Sequence, residues 1–261
     1  MTENIPQHRR ETISQAVRQA YQDAEIDLDN LQPGIVPLYS LIQAYPISVD
    51  EIQDMTAQKV AEFLEEETRQ KIAIPEAKDC VLAGYLYLQQ DRDSLYGCIL
   101  TEKRPSTAPI FRRRFSAAHE LGHYLLHFLP LLEINKNNDT CDPLIVTEGL
   151  MSNTAKEELE LESESETLSG ELSITDNLEA ALEHLGIDRN LMEAEADCFA
   201  GELLIPEKSC YELAQRFQGR FGRKLDVLVG RLAPEFLVSK QAMKRRLLDL
   251  NIVKKLLKVV V

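Results

Sequence analysis

The chain contains no tryptophan and only five cysteines. Five is an odd number, and no two of these cysteines stand in a C-x-x-C spacing. The pattern argues against the disulfide framework of small secreted domains and favours a reducing compartment. Cys198 lies in the apolar stretch LMEAEADCFAGELLIP, where it is either a soft metal ligand or a small core residue. Buried thiols usually only pack, so we expect the second.

Long apolar runs are also missing. No stretch approaches the roughly 20 uninterrupted apolar residues that a membrane-spanning helix requires. Residues 1–10 are polar and lack the apolar centre of a signal peptide. The sequence therefore predicts no membrane partner and a cytoplasmic location.

Positive charge is scarce, because 29 lysines and arginines stand against 43 aspartates and glutamates, a formal net charge of -14. This balance argues against a protein that coats nucleic acid along its whole surface. The chain has 261 residues, of which 44% are hydrophobic and 28% charged. That composition is ordinary for a globular protein with a real core, built as one domain with an insertion or as two smaller domains.

The stretch FSAAHELGHYLLH contains an H-E-x-x-H pattern in an apolar helical context. His119 and His123 are four apart, so a helix presents both imidazoles on one face, where they can share a metal ion. Glu120 then lies beside the metal and can take a proton from water there. Ser116 is expected to cap the helix, and Gly122 suggests that another backbone passes close by. The alternative is a helix with two hydrogen-bonded histidines and a surface glutamate.

A zinc site with one open position needs a third protein ligand. His127 continues the same face, but three ligands along one straight helix would span about 12 Å, too far to share an ion. We expect His127 to support the site or to pack. The stretch LMEAEADCFAGELLIP predicts a second buried helix, in which Glu193 would bind the metal and Asp197 would hold a ligand histidine. Glu195 is the rival ligand, and it points about 200° away from Glu193.

These stretches resemble the ImmA/IrrE-type metallopeptidase family. The resemblance rests on three blocks and the spacing between them: RRRFSAAHELGHYLLH, EAEADCFAGELLIP and FLVSKQAMKRRLLDLNIV. It implies that His119, His123 and Glu193 are the metal ligands, that Glu120 is the catalytic base, and that Asp197 supports a ligand. It also implies a gluzincin-like endopeptidase holding one Zn²⁺, for which Mn²⁺ is a possible substitute.

The resemblance further implies a protein substrate, a DNA-binding repressor or an antitoxin-like partner, cleaved in a stress or mobile-element response. Two alternatives stay open. One is a module of the same fold that binds a regulator without cutting it, although such a module has no need of Glu120. The other is a DNA-binding regulator that acts through Lys244, Arg245 and Arg246, which we weigh against a packing helix with a basic outer face.

The predicted fold is α+β, a mostly helical zincin-like domain with a small antiparallel sheet beside the H-E-x-x-H helix. We divide the chain into an N-terminal helical segment (1–35), the peptidase domain (36–206) and a basic helical region (207–261). The main elements expected before the metal motif are a helix over 36–45, a strand over 47–49, a helix over 51–68 capped by Asp50, and a hairpin over 80–89 and 95–101.

An acidic insertion is predicted at about 147–185. From Glu157 to Glu183 there are ten acidic residues and neither lysine nor arginine. This composition is typical of a loosely ordered loop, either a lid over the cleft or a neutral solvated insertion. A basic run, Arg112 to Arg114, is expected to be solvated, with pairing to this segment or to a substrate carboxylate as alternatives.

Overall fold

The computed structural model describes residues 5–69, 80–90, 95–104, 106, 108–131, 144–151, 186, 188–221, 224–252 and 254–255, with backbone alone for 144–151 and 221. The architecture is α+β, as predicted. The acidic stretch Glu157 to Glu183 lies outside the described residues. Within those residues, no helix is long and apolar enough to cross a bilayer.

The helices and strands follow one another in this order: α1 (Gln7–Asp23), α2 (Leu38–Ile42), β1 (Ile47–Ile52), α3 (Ala57–Thr68), β2 (Leu82–Gln90), β3 (Leu95–Glu102), α4 (Ile110–His123), a π-helical turn (Tyr124–Phe128), β4 (Leu144–Met151), α5 (Arg189–Leu204), α6 (Glu207–Phe221), α7 (Leu225–Phe236) and α8 (Lys240–Asp249).

In the part of the chain that the structure describes, the sheet has four strands in the order β1-β3-β2-β4, and it is mixed. The predicted hairpin is confirmed, since β2 and β3 pair antiparallel, and β4 pairs antiparallel with β2. The prediction of a small antiparallel sheet was wrong for one edge, because β1 pairs parallel with β3. The hairpin is readable from adjacent segments, whereas the β1–β3 pairing joins strands that are separated by α3 and β2.

Both faces of the sheet are covered. Leu86, Leu88 and Ile99 point into the core shared with α4, while Tyr87 and Leu100 point into a second cluster under α3. All nine residues of β2 are buried, which is the pattern of a strand without a solvent face. The strand that packs against the metal motif is therefore enclosed by protein on both faces.

One large apolar cluster joins the described helices other than α3. It runs from Ile5 to Ile252 and includes residues from each of the three predicted segments. The division at 35 and 206 itself stays a prediction. Tyr21 donates from its hydroxyl to the Leu203 carbonyl at 2.8 Å, and Ser14 donates to Glu202 at 2.9 Å. These bonds attach α1 to α5.

Two predicted helix starts were wrong. Ser116 is buried inside α4, which begins earlier, after Pro109, because Ile110 to Arg114 already have helical backbone. Asp50 lies in β1, and the following helix begins only after Thr56, whose hydroxyl accepts a hydrogen bond from the Lys59 amide at 3.3 Å. Parallel pairing with β3 keeps Glu51 and Ile52 extended. Ser239 caps α8 as predicted, accepting from the Ala242 amide at 3.0 Å.

Candidate metal centre

Helix α4 brings the two motif histidines together. His119 and His123 are buried, and their Nε2 atoms lie 2.9 Å apart. Every residue from Ser116 to His123 is buried, because this half of α4 packs between the sheet and α5. The helical spacing of four residues thus converts into two imidazoles that face one point.

Helix α5 supplies a carboxylate to the same point. Glu193 Oε2 lies 3.3 Å from His119 Nε2, and Glu193 Oε1 lies 3.5 Å from His123 Nε2. Ligands about 2.0–2.1 Å from a tetrahedral zinc ion are about 3.4 Å apart, so these separations suit one ion. The three residues form a group whose ligand atoms all lie within 4.8 Å of one another. Two imidazoles and one carboxylate leave a fourth position open, and Glu193 keeps 34% of its side chain exposed.

Gly122 permits this approach of α5 to α4. A β-carbon on residue 122 would lie 3.0 Å from Phe199 Cδ1 and 3.3 Å from the Ala196 Cα atom. The sequence prediction that another backbone passes close to this glycine is confirmed. The small residue therefore sets the distance between the helix that carries the histidines and the helix that carries Glu193.

His119 is held on its Nδ1 side by the carboxylate of Asp197, which in turn contacts the guanidinium of Arg245. Its Nδ1 lies 3.1 Å from Asp197 Oδ1, which leaves Nε2 to face the metal position. Arg245 Nη1 donates to the other oxygen of Asp197 at 2.8 Å. A carboxylate of this kind fixes the tautomer and the orientation of a ligand histidine. The contact of Asp197 was expected, but Arg245 comes from α8 and had been considered only as a DNA contact or as part of the basic outer face of a packing helix.

His123 is held by a longer chain of contacts. His127, in the π-helical turn, places its Nδ1 3.2 Å from His123 Nδ1 and its Nε2 3.1 Å from Glu195 Oε2. Arg9 of α1 donates to both oxygens of Glu195, with Nε 2.5 Å from Oε1. His127 and Glu195 are fully buried. Glu195, which the sequence suggested as a rival ligand, therefore faces away from the metal position and contacts His127.

Glu120 is fully buried beside the histidines. Its carboxylate lies against strand β2, where a β-carbon on residue 84 would be 2.6 Å from Glu120 Oε1. Gly84 is thus the residue that leaves room for the carboxylate. An isolated glycine in a strand indicates only a bulge or a close approach. Nothing in the sequence identifies Glu120 as the neighbour, because the contact joins positions that are distant in the chain.

His119 and Glu193 have the pKa shifts of an ion pair. Burial by itself lowers the pKa of His119, but hydrogen bonds to Asp197 and Glu193 outweigh it and hold that pKa well above its ordinary value. Burial opposes ionisation of Glu193 too, yet its close contacts with His119 and His123 bring its pKa well below the usual range. Burial lowers the pKa of His123. A metal ion binding here would displace a proton from His119.

Two further side chains near the ligand residues pack in the core and do not join the ligand group. Tyr124 is buried and packs edge-on against Tyr45, with 5.6 Å between ring centroids. Cys198 is not part of the ligand group; it packs against the core, and burial raises the pKa of its thiol to about 11.

The basic runs are also partly buried. Arg113 pairs with Glu51 at 2.6 Å, and Arg114 is buried and donates to the Val36 carbonyl at 2.7 Å. The solvated run expected for residues 112–114 was wrong for these two residues. Arg246 is buried as well, donating to the Ile205 carbonyl at 3.1 Å.

Comparison with known proteins adds no relative, because no family model and no curated protein sequence matches the chain.

Proposed function

We propose that this chain is a metallo-endopeptidase of the ImmA/IrrE type that uses one Zn²⁺ ion. The observation that carries the proposal is the meeting of His119, His123 and Glu193 with a buried Glu120 beside them. Two imidazoles and a carboxylate, with one position open, are the ligand set of glutamate-type zinc peptidases. The contacts behind both histidines support the same reading, since ligand histidines are commonly oriented by such partners.

The chemistry divides between the ion and the side chains. Zinc, when bound, supplies Lewis acidity that polarises a carbonyl and makes water a nucleophile near neutral pH. Glu120 accepts the proton of the attacking water and returns it to the leaving amine. Gly84 leaves space for the Glu120 carboxylate against the buried strand β2 and so determines where it lies. Asp197 keeps His119 in the tautomer that offers Nε2. Proton transfer of this kind contributes about 10²–10⁴-fold to a rate.

The proposed substrate is a regulatory protein, a DNA-binding repressor or an antitoxin-like partner. This part of the proposal comes from the resemblance of the three sequence blocks to the family. Mn²⁺ remains an alternative to Zn²⁺, because affinity order alone does not decide which metal a protein holds in the cell.

The first test is the metal content of the purified protein. We expect about one zinc per chain in the wild type, as the ligand set requires, and little in Glu193→Gln. The variant Glu212→Gln, on α6, serves as the matched control and should keep the metal. A folded wild type that takes up no metal under metal-replete conditions would overturn the proposal.

The second test separates cutting from binding. Wild type and Glu120→Gln, both loaded with zinc, are incubated with host-cell extract, and new protein N-termini are quantified by mass spectrometry. New termini produced by the wild type alone support the peptidase. If both proteins retain the same partner and neither creates termini, the chain is a binding module.

The DNA-binding alternative has less support. Arg245 and Arg246, two of the three cations considered for it, make contacts within the protein, with Asp197 and with the Ile205 carbonyl. The DNA-binding alternative predicts a salt-dependent affinity for duplex DNA that survives removal of zinc.

A further inference from the structure

His127 was expected from the sequence to support the site or to pack, and in the structure it contacts the ligand histidine His123. His119 has the acidic partner expected of a zinc peptidase, whereas His123 Nδ1 meets another histidine, His127, at 3.2 Å. Two neutral imidazoles form a hydrogen bond only when one nitrogen carries the proton and the other does not. The direction of this bond therefore decides which nitrogen of His123 is available to a metal.

Glu195, at the far end of the contacts from His123, fixes the direction of the hydrogen bond between His123 and His127. Glu195 accepts two hydrogen bonds from Arg9, and its Oε2 lies 3.1 Å from His127 Nε2. An ionised carboxylate only accepts, so His127 Nε2 must donate. In a neutral His127, Nδ1 is then an acceptor, and His123 Nδ1 must be the donor. The proton of His123 is placed on Nδ1, and Nε2 faces His119 and Glu193 with its lone pair.

We propose that Arg9, Glu195 and His127 form a positioning relay that holds His123 in the tautomer and orientation needed to bind the metal. The relay connects the metal centre to α1, although Arg9 and Glu195 are 186 positions apart in the chain. Full burial of His127 and Glu195 removes competing water, so a neutral His127 leaves one assignment of these protons. The inference rests on the metal site proposed above and is independent of the peptidase activity.

Zinc affinity of folded, metal-free protein tests the relay directly. The affinity is measured by competition with a chromophoric chelator, and the visible spectrum of the Co²⁺ form reports ligand geometry. We expect His127→Phe to weaken zinc binding by about 10–100-fold, as loss of such a partner typically does. Arg9→Met should weaken it in the same direction by less, and Arg9→Lys should recover part of the loss.

The matched control is Ser14→Ala. Ser14 donates to Glu202 at 2.9 Å. The substitution therefore removes another contact between α1 and α5 and leaves the residues of the relay unchanged. It should leave the zinc affinity and the Co²⁺ spectrum of the wild type unchanged. Circular dichroism of each metal-free variant confirms folding, and if His127→Phe does not fold, Arg9→Met decides, since its side chain is 17% exposed.

The outcomes separate the two proposals. A wild type that binds no zinc overturns both the metal site and the relay. A wild type that binds zinc, with the same affinity and Co²⁺ spectrum in the folded Arg9 and His127 variants, overturns the relay alone. An equal loss in Ser14→Ala also overturns it, because the effect would then come from the docking of α1 in general.

Discussion

Gly84 of strand β2 and Glu120 of helix α4 approach so closely that a β-carbon on residue 84 would lie 2.6 Å from Glu120 Oε1. The same β-carbon would lie 3.2 Å from Ser116 Cβ. The carboxylate proposed as the catalytic base is therefore positioned by the absence of a side chain on the neighbouring strand.

Gly84→Ala should remove most of the cleavage activity while zinc stays bound. The added methyl group has to displace the Glu120 carboxylate, and loss of a positioned base costs about 10²–10⁴-fold in rate. Zinc per chain and the rate of formation of new protein N-termini are the measurements. The matched control is Gly97→Ala, since a β-carbon there would meet Ile47 and Leu88 at 3.0 Å, away from Glu120. Equal loss of activity per folded molecule in both variants would contradict the expectation.

Two helical glycines should respond in opposite directions to alanine. Gly122→Ala forces a methyl group against Phe199 and the backbone of Ala196, and overpacking of this kind costs about 1–3 kcal/mol. A β-carbon on Gly201 in α5 would meet nothing within 4 Å, so Gly201→Ala should gain up to about 1 kcal/mol of helix propensity.

Urea denaturation of the metal-free proteins measures both free energies of unfolding. Gly122→Ala should also weaken zinc binding, because it separates α4 from the helix that carries Glu193. A Gly122→Ala protein as stable as Gly201→Ala would show that α4 and α5 do not pack as closely as the structure has them.

Asp197→Asn should weaken zinc binding by about 10–100-fold with little change in fold. The amide keeps the size of the carboxylate but removes the charge that Arg245 and His119 contact. It can also present an N–H to His119 Nδ1, which favours the tautomer with the proton on Nε2. Chelator competition measures the affinity, and Asp226→Asn, on α7, is the control that should bind zinc like the wild type.

Glu102 supports the turn between β1 and α3. Its buried carboxylate accepts hydrogen bonds from three backbone amides, those of Asp54 at 3.0 Å, Met55 at 2.7 Å and Arg104 at 2.8 Å. Glu102→Gln turns part of this acceptor into a donor that faces other donors, at a cost of about 1–3 kcal/mol.

The exposed Glu62→Gln, on α3, should change the free energy of unfolding by less than about 0.5 kcal/mol in the same urea experiment. Zinc affinity should be equal in both variants, because neither residue contacts the metal centre. A Glu102→Gln protein with wild-type stability would mean that these amides find other acceptors.

Features that depend on spacing within one element could be predicted from the sequence. The four-residue step from His119 to His123, the buried face of α5 and the cap at Ser239 each follow from helical periodicity or from the preference of a hydroxyl for a helix start. Such patterns fix which face of an element is apolar or polar. They correctly indicated a group of His119, His123 and Glu193, the last of these with help from the family resemblance.

Tertiary structure alone decided the other contacts between distant residues. Nothing in the sequence near Arg9 indicates Glu195, and nothing near Arg245 indicates Asp197, because these contacts depend on how whole helices pack. The parallel pairing of β1 with β3 and the space left by Gly84 have the same origin. The sequence by itself determined the chemistry that each element carries. Packing determined the partners that orient it, since a contact across many residues is set by the sum of all interfaces and leaves no local pattern.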